Sequence, residues 1–263
     1  MHRRNAAPDT LETRTLLSQD LLSEGGSQRT GTGIVHFLRP PLRSSLKWIL
    51  AVAMLGIVTP VYNWELPITT REFLQNLQVI SASAPYSFIV TTYGIMAGCT
   101  FVDAKKILAN KGLELNAGFS VKMPDTWTPI FDLSDKTKVQ QINDNAESYI
   151  NAVLTGIKER AVGNHMQGVV PYAVRLFMDP MYNNERKTQH FSVSDKCIGC
   201  SLCARKCPVQ VIQMKDKRPV WIKDQCAACL RCLHHCPTFA IQYGKGATNR
   251  HAHYKIPHVN VLF

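Results

Sequence analysis

The sequence predicts a mixed fold, α/β plus α+β, in which a domain with a parallel sheet precedes a smaller module. The chain has 263 residues, 45% of them hydrophobic, which is enough for one full-sized core and an attached unit. From about residue 55 to residue 161, short apolar runs alternate with amphipathic stretches, a pattern typical of βα units. Eight of the nine cysteines lie between Cys197 and Cys236, and only Cys99 lies outside. This concentration indicates that the cysteines serve a local chemical purpose.

Three βα units are predicted in the first region. Their strands cover residues 55–62, 86–93 and 113–121. The helix after the first strand is expected to begin at a capping box formed by Thr69 and Glu72. Its apolar face consists of Phe73, Leu74 and Leu77. The second helix, over about residues 102–110, is expected to stop at Gly112, because glycine adopts the left-handed conformation that helix ends need.

A long helix is predicted from about residue 134 to residue 161, because apolar residues recur there every three or four positions. They are Val139, Ile142, Ala146, Ile150, Val153 and Ile157. Such a helix can cover one face of the sheet. Residues 163–189 contain Pro171 and Pro180 and show no clear apolar period, so they are interpreted as a linker.

The predicted domain order follows from these patterns. It consists of an atypical segment over residues 1–50, an α/β domain over 51–162, the linker over 163–189, a cysteine module over 190–244 and a tail over 245–263. Disorder is one interpretation of residues 1–50, which fit none of the patterns above. The tail carries His251, His253 and His258, which could bind a metal, but an ordinary flexible terminus is the favoured interpretation.

The cysteines form two sets with the same spacing. The sets are Cys197-x-x-Cys200-x-x-Cys203-x-x-x-Cys207-Pro208 and Cys226-x-x-Cys229-x-x-Cys232-x-x-x-Cys236-Pro237. Each matches the bacterial two-cluster ferredoxins, in which one tight loop supplies three thiolates and the fourth cysteine binds the other cluster. We therefore assign Cys197, Cys200, Cys203 and Cys236 to one 4Fe–4S cluster, and Cys207, Cys226, Cys229 and Cys232 to a second. Two neighbouring clusters predict one-electron transfer.

The match between the two sets extends beyond the ligands. An offset of 29 residues, from Cys197 to Cys226, also superposes Asp195 on Asp224 and Ile212 on Ile241, which indicates an internal duplication. The alternative is a pair of four-cysteine zinc sites, but those are usually built from separated Cys-x-x-Cys pairs. Apolar residues of the module could keep water from the clusters or simply form its core; they are Ile198, Leu202, Val209, Ile212, Leu230, Phe239 and Ile241.

Three further residues are open to a chemical or a structural interpretation. His234 and His235 lie beside Cys236 and could donate hydrogen bonds to cluster sulfur, although solvent-facing histidines are the favoured interpretation. Cys99 lies in a strand-to-helix loop with no recognisable base nearby. It is therefore interpreted as a small buried residue and not as a nucleophile.

Charge and hydropathy limit the classes of function. The formal net charge is +11, and two clusters of about −2 each would lower the excess to about +7. The basic residues form no stripe interleaved with aromatic residues, which disfavours nucleic-acid binding, whereas an acidic redox partner remains open. No secretory signal is recognised, so a reducing, cytoplasmic location is expected. The most apolar window, residues 48–62, is about fifteen residues long, whereas a membrane span needs about twenty.

Several segments together resemble a known family, the EFR-family ferredoxins, which are flavodoxin–ferredoxin fusion proteins. The segments are residues 56–67 (GIVTPVYNWELP), 92–94 (TYG), 116–119 (NAGF), 122–125 (KMPD), 131–134 (FDLS) and 191–200 (FSVSDKCIGC). The likeness covers about residues 56–256. It implies a flavodoxin-like domain that binds FMN, followed by the two-cluster ferredoxin module.

In a flavodoxin-like sheet the ligand lies beyond the carboxyl ends of the strands. The loops at these ends carry Asn63, Trp64, Thr92, Tyr93 and Gly94, which could hold an isoalloxazine ring. Trp64 and Tyr93 could equally be packing aromatics.

The phosphate loop of the resembled family is a Ser-Gly-Thr-Gly-Asn turn after the first strand, where backbone N–H groups hold the FMN phosphate. Here its counterpart is Thr30, Gly31, Thr32 and Gly33. Ile34 replaces the asparagine, residues 23–29 are polar where a buried strand should lie, and Pro40-Pro41 would break the next helix. We hypothesise that the reading frame upstream of about Ala51 is altered; the alternative is that this region has diverged.

These observations predict an electron-transfer protein that exchanges electrons with a redox partner protein. One alternative is a flavin-dependent iron–sulfur reductase with its own substrate. However, the sequence shows no acid–base pair, nucleophile–base constellation or Gly-x-Gly-x-x-Gly nicotinamide fingerprint. The other alternative is a ferredoxin whose upstream domain binds no flavin and only docks and positions the clusters.

Overall fold

The strands of the first region form a parallel sheet, as the sequence predicted. The computed structural model describes residues 33–35, 48–51, 54–80, 84–244 and 247–254. The strands of this region are β1 (Gly33–Val35), β2 (Trp48–Ala51), β3 (Met54–Pro60), β4 (Leu77–Ile80), β5 (Tyr86–Tyr93), β6 (Ala117–Lys122) and β7 (Gly163–Asn164). Five of them form one sheet in the order β1-β3-β5-β6-β7, with every neighbouring pair parallel. Strands β2 and β4 form a separate parallel pair.

The helices alternate with these strands and continue into the second region. They are α1 (Ile68–Asn76), α2 (Thr100–Ala109), α3 (Lys136–Lys158), α4 (Arg175–Glu185), α5 (Leu202–Arg205) and α6 (Arg231–His234). The second region also contains strands β8 (Phe191–Val193), β9 (Ile212–Lys215), β10 (Arg218–Trp221) and β11 (Ile241–Tyr243). β8 pairs antiparallel with β11, and β9 with β10. The chain is therefore a mixed α/β fold followed by a small module with two antiparallel strand pairs.

Both faces of the parallel sheet are covered by helices. On one face, Leu55 and Ile89 pack with Leu74 of α1 and Leu108 of α2. On the other face, the cluster of Tyr86, Phe88, Ala117, Phe119 and Ile157 brings α3 against the sheet. Because both faces of the sheet are buried, the central strands are continuous apolar runs in the sequence.

The predicted capping box at the start of α1 is not formed. Pro67 occupies the N-cap position, where its fixed φ suits the entry into a helix. The hydroxyl of Thr70 instead hydrogen-bonds that of Thr59 at 2.8 Å, tying the helix to β3. Leu77, expected on the helix, begins β4 with extended backbone. The end of the second helix was predicted correctly, since Gly112 follows α2 with a φ of 72°.

Two other element boundaries differ from the prediction. The third strand begins at Ala117 and not near residue 113, because the Leu113 amide still donates to the Leu108 carbonyl at the end of α2, at 3.0 Å. The long helix is confirmed as α3, which begins after Asp135; the carboxylate of Asp135 accepts from the Lys138 amide.

The segment interpreted as a linker is structured. It contains β7 and α4, and α4 includes Pro180. Tyr182 is the buried residue of this helix, so α4 has no apolar stripe that a periodicity argument could detect. The contacts of α4 are instead largely polar; for example, the Asn63 side-chain amide donates to the Met178 carbonyl at 2.9 Å.

The tail is also packed as far as Tyr254, where the sequence favoured a flexible terminus. The Leu133 amide donates to the His251 carbonyl at 2.9 Å, and the Tyr254 hydroxyl bonds the Asn143 side chain of α3 at 2.9 Å. His258 lies outside the described residues, as do most of residues 1–50. Within the ranges given above, no helix is both long enough and apolar enough to cross a membrane.

Gly98 and Gly112 provide a matched test of how closely the backbone at Gly98 packs against Trp64. Both have positive φ, 65° and 72°, but a Cβ at Gly98 would fall on the Trp64 carbonyl, whereas a Cβ at Gly112 would meet nothing within 4 Å. We expect Gly112→Ala to lower the free energy of unfolding by about 1 kcal/mol, the usual conformational cost, and Gly98→Ala to lower it by at least about 2 kcal/mol. Urea denaturation followed by tryptophan fluorescence measures both, and equal losses would contradict the packing argument.

Candidate functional site

Two cavities in the second region are lined by the predicted cysteine groups. The first is lined by Cys197, Cys200, Cys203 and Cys236. The second is lined by Cys207, Cys226, Cys229 and Cys232. Each cavity thus gathers three cysteines from one loop and a fourth from the other half of the module. Among the residues that the structure describes, no group of three or more His, Cys, Asp or Glu side chains has the spacing to hold a single metal ion.

The internal duplication is visible in the backbone. Three pairs of residues separated by the 29-residue offset share the left-handed conformation: Gly199 and Ala228, Ser201 and Leu230, and Gln210 and Phe239. Left-handed backbone costs a non-glycine residue about 1–2 kcal/mol. Because equivalent positions share this conformation, the two cysteine loops have the same backbone fold. In each loop this fold directs three cysteine side chains into the cavity.

Backbone amides point at cysteine sulfurs in both halves of the module. The Val211 amide lies 3.4 Å from Cys207 Sγ, and the Ala240 amide lies 3.2 Å from Cys236 Sγ. These two pairs are again related by the 29-residue offset. Hydrogen bonds of this kind stabilise charge on sulfur, and in iron–sulfur proteins they influence the reduction potential. At Cys236 such bonds outweigh burial, so the pKa of this thiol lies below its ordinary value.

The cysteines of the second loop are more buried than those of the first: Cys226 and Cys232 are buried, whereas Cys200 is exposed. Burial raises the pKa of Cys229 to about 12 and raises those of Cys226 and Cys232 above their ordinary value. Neutral thiols are therefore favoured there when no cation is bound, and binding a cationic centre must displace their protons. Soft thiols, inward amides and apolar walls together fit an iron–sulfur centre in each cavity.

From the sequence, His234 was considered either as a hydrogen-bond donor to sulfur or as a solvent-facing residue; the structure shows neither. It is buried; its Nδ1 accepts from the Tyr254 amide at 3.2 Å, and its Nε2 therefore donates to the Thr126 carbonyl at 2.9 Å. Burial lowers its pKa, so the neutral ring is favoured. His234 thus joins the module to the α/β domain. His235 is half-buried and bonds the Arg231 carbonyl through Nδ1. Cys99 is buried, as predicted.

The loops expected to hold a flavin ring do meet at one edge of the sheet. Asn63 and Trp64, both with positive φ, form a tight turn closed by two hydrogen bonds between Tyr62 and Glu65. Thr92 and Tyr93 end β5, and the Thr92 carbonyl accepts from the amide of Val61. Trp64, Thr92, Tyr93 and Gly94 are all half-buried.

Of the four expected phosphate-loop residues, Gly33 lies among the described residues. Gly33 is the first residue of β1 and pairs with Leu55, so it lies toward the amino end of the parallel sheet, whereas the ring loops lie at the carboxyl end. Thr30, Gly31 and Thr32 lie outside the described residues. The Asn63 amide is bonded to α4, and a Cβ at Gly94 would collide with Asp125, so these two residues serve contacts within the protein. FMN binding at these loops therefore stays a prediction.

A buried ionic network, which the sequence analysis did not anticipate, lies beside these loops. The carboxylate of Glu65 is inaccessible to solvent and forms ion pairs with Arg71 of α1 and Arg175 of α4. Arg175 also pairs with Asp103 of α2 and, at 2.7 Å, with Asp179. No local pattern could reveal this network, because its members come from four separate segments of the chain. It holds α4 against the carboxyl edge of the sheet.

Comparison with protein families identifies the second region. Residues 196–241 match the family described as 4Fe-4S dicluster domain. A comparison of the chain with curated proteins finds no match. The matched range includes all eight clustered cysteines. The match supports an iron–sulfur electron-transfer role and at least one iron–sulfur cluster.

The network predicts a pH effect that depends on Glu65. Burial, together with a hydrogen bond with Asp179, raises the pKa of Glu65 from 4.5 to about 7. A carboxyl with a raised pKa binds its proton more tightly in the folded state, so its stabilising contribution is lost as the pH rises from about 4.5 through 7. Between pH 5.5 and 8 we expect wild type to lose about 2 kcal/mol of unfolding free energy relative to Glu65→Gln.

Urea midpoints measured anaerobically across this range test the effect. Glu114→Gln, which removes an exposed carboxylate from the same domain, is the control and should follow wild type. Parallel pH profiles for wild type and Glu65→Gln would show that the carboxyl does not titrate in this window.

Proposed function

We propose that the chain is an electron-transfer protein with two 4Fe–4S centres, joined to a flavodoxin-like domain. The observation that carries the proposal is the crossed lining of the two cavities. Cys236 completes the cavity of the first loop, and Cys207 completes that of the second. This arrangement is expected for two interlocked clusters. We also propose a cytoplasmic location, because a reducing compartment keeps the eight cysteines from forming disulfides and so available as cluster ligands.

Each part of the module has a role in this proposal. The eight cysteines would hold the two centres, which supply reversible one-electron chemistry when bound. The amides of Val211 and Ala240 stabilise charge on Cys207 and Cys236. Apolar side chains restrict water at the cavity walls; they include Leu202, Met214 and Ile241 in the first cavity and Val209, Val211 and Leu230 in the second. Dry surroundings and hydrogen bonds to sulfur are the protein's means of setting the potential.

The flavodoxin-like assignment is supported by the parallel order β1-β3-β5-β6 with helices on both faces. FMN binding is the expectation from the family resemblance. A second candidate, a docking scaffold without flavin, is favoured by two contacts of the expected ring site: Asn63 is bonded to α4 and Gly94 is packed on Asp125. In this second candidate the domain positions the clusters and takes no electrons itself.

A set of cysteine substitutions distinguishes crossed from uncrossed ligand sets. Wild type reconstituted without oxygen should contain about eight iron and about eight sulfide per chain. If the sets are crossed, the double variant Cys207→Ser/Cys226→Ser removes ligands of one centre and keeps about four iron, whereas Cys197→Ser/Cys207→Ser damages both centres.

Iron and sulfide analysis together with electron paramagnetic resonance after dithionite reduction provides the readout. Cys99→Ser is the control and should keep the full complement, because Cys99 lies in the α/β domain. The reverse order of the two double variants would show that each loop supplies its own four ligands. Absence of iron and sulfide from wild type would contradict the proposed function.

Flavin analysis decides between the two interpretations of the α/β domain. If the α/β domain binds FMN, as the family resemblance implies, the anaerobically purified holoprotein, incubated with FMN and then desalted, should release about one flavin per chain on denaturation; the scaffold predicts less than about 0.1 flavin per chain. Near-equimolar flavin would contradict the scaffold and support FMN as a second redox group. Neither result changes what the iron and sulfide measurement says about the clusters.

A further inference from the structure

The two halves of the duplicated module face different surroundings. In the first cysteine loop, Ile198 is 66% exposed and Cys200 is exposed. At the position equivalent to Ile198, 29 residues later, the second loop has Ala227, which is 2% exposed, followed by Ala228, which is also buried. The first loop therefore has an exposed isoleucine, Ile198, at the position where the second loop has a buried alanine, Ala227.

The second loop is covered by the segment that begins with α4. The Cys226 amide donates to the Arg186 carbonyl at 2.8 Å, and the Arg186 guanidinium donates to the Cys226 carbonyl at 2.9 Å. The Tyr182 hydroxyl lies 3.5 Å from the Ala227 carbonyl and also accepts from the Ile68 amide of the α/β domain. A protein in solution therefore cannot reach the second loop from this side, whereas the first loop has no such cover among the described residues.

Two exposed lysines flank the first loop. Lys196 precedes its first cysteine and is exposed. Lys217, also exposed, lies in the turn between β9 and β10, and its backbone is close enough to Gly199 that a Cβ there would lie 2.9 Å from the Lys217 carbonyl oxygen. Of the nearby acids, Asp195 is paired with Arg218 at 3.5 Å and Asp216 is exposed in the same turn.

We infer that Lys196, Ile198, Cys200 and Lys217, here called the outer mouth, form the surface through which the chain exchanges electrons with an acidic redox protein. The inference rests on the proposed function, since it assumes a centre in the first cavity. Cys200 lines that cavity and is exposed, so a partner seated on the outer mouth would lie against a ligand of the centre. Ile198 supplies an apolar contact, and the two lysines attract acidic groups and orient them.

The test uses an electrode as an acidic partner of known composition. The reconstituted holoprotein is adsorbed on gold coated with a carboxylate-terminated monolayer, and the interfacial electron-transfer rate is measured by cyclic voltammetry at low salt. In the variant Lys196→Glu/Lys217→Glu, this rate should be lower than in wild type by about tenfold or more. On an amine-terminated monolayer, the rate of the same variant should recover. Lys138→Glu/Lys223→Glu makes the same change of charge at two exposed lysines outside the outer mouth and should stay close to wild type.

Iron, sulfide and paramagnetic resonance are measured first on all three proteins. Wild type without clusters would refute the proposed function itself. If all three proteins carry clusters but the two double variants have the same electron-transfer rate, net charge alone governs the rate. The inference that the outer mouth is the exchange surface is then wrong. An unchanged rate in Lys196→Glu/Lys217→Glu overturns it as well.

Discussion

The crossing of one cysteine from each half of the module is the constraint on which the second region depends. Cys207 and Cys236 each leave their own loop to complete the opposite cavity, and each is bonded by the amide four residues later. Neither half can then form its site alone. A module this small has little core of its own, so closure of the two cavities and folding are expected to be one event.

The connection between the two regions is mainly polar. Arg175 joins α4 to Glu65 and Asp103, and Arg186 joins the end of the same helix to Cys226. A charged network that is largely buried is costly unless its members are paired, so it tolerates few alternative arrangements. This geometry fixes which cysteine loop faces the α/β domain and which faces outward, and thereby breaks the symmetry of the duplication.

Local spacing allowed much of this structure to be predicted. The two cysteine sets, the strand over Tyr86–Tyr93 and the glycine after α2 all depend on residues that are near in sequence. The helix α4, the position of His234 and the Glu65 network could not be predicted, because their stabilising contacts join residues far apart in sequence and leave no apolar period.

The packed tail has a consequence for the order of assembly. Residues 247–254 contact Thr128, Leu133 and Asn143 of the α/β domain as well as His234 of the module. They are translated after both units, and domains generally begin to fold from the amino terminus during synthesis. The surface shared by the two units therefore stays incomplete until this last segment has been made, so the docking of the module on the α/β domain is completed only after both units have been synthesised.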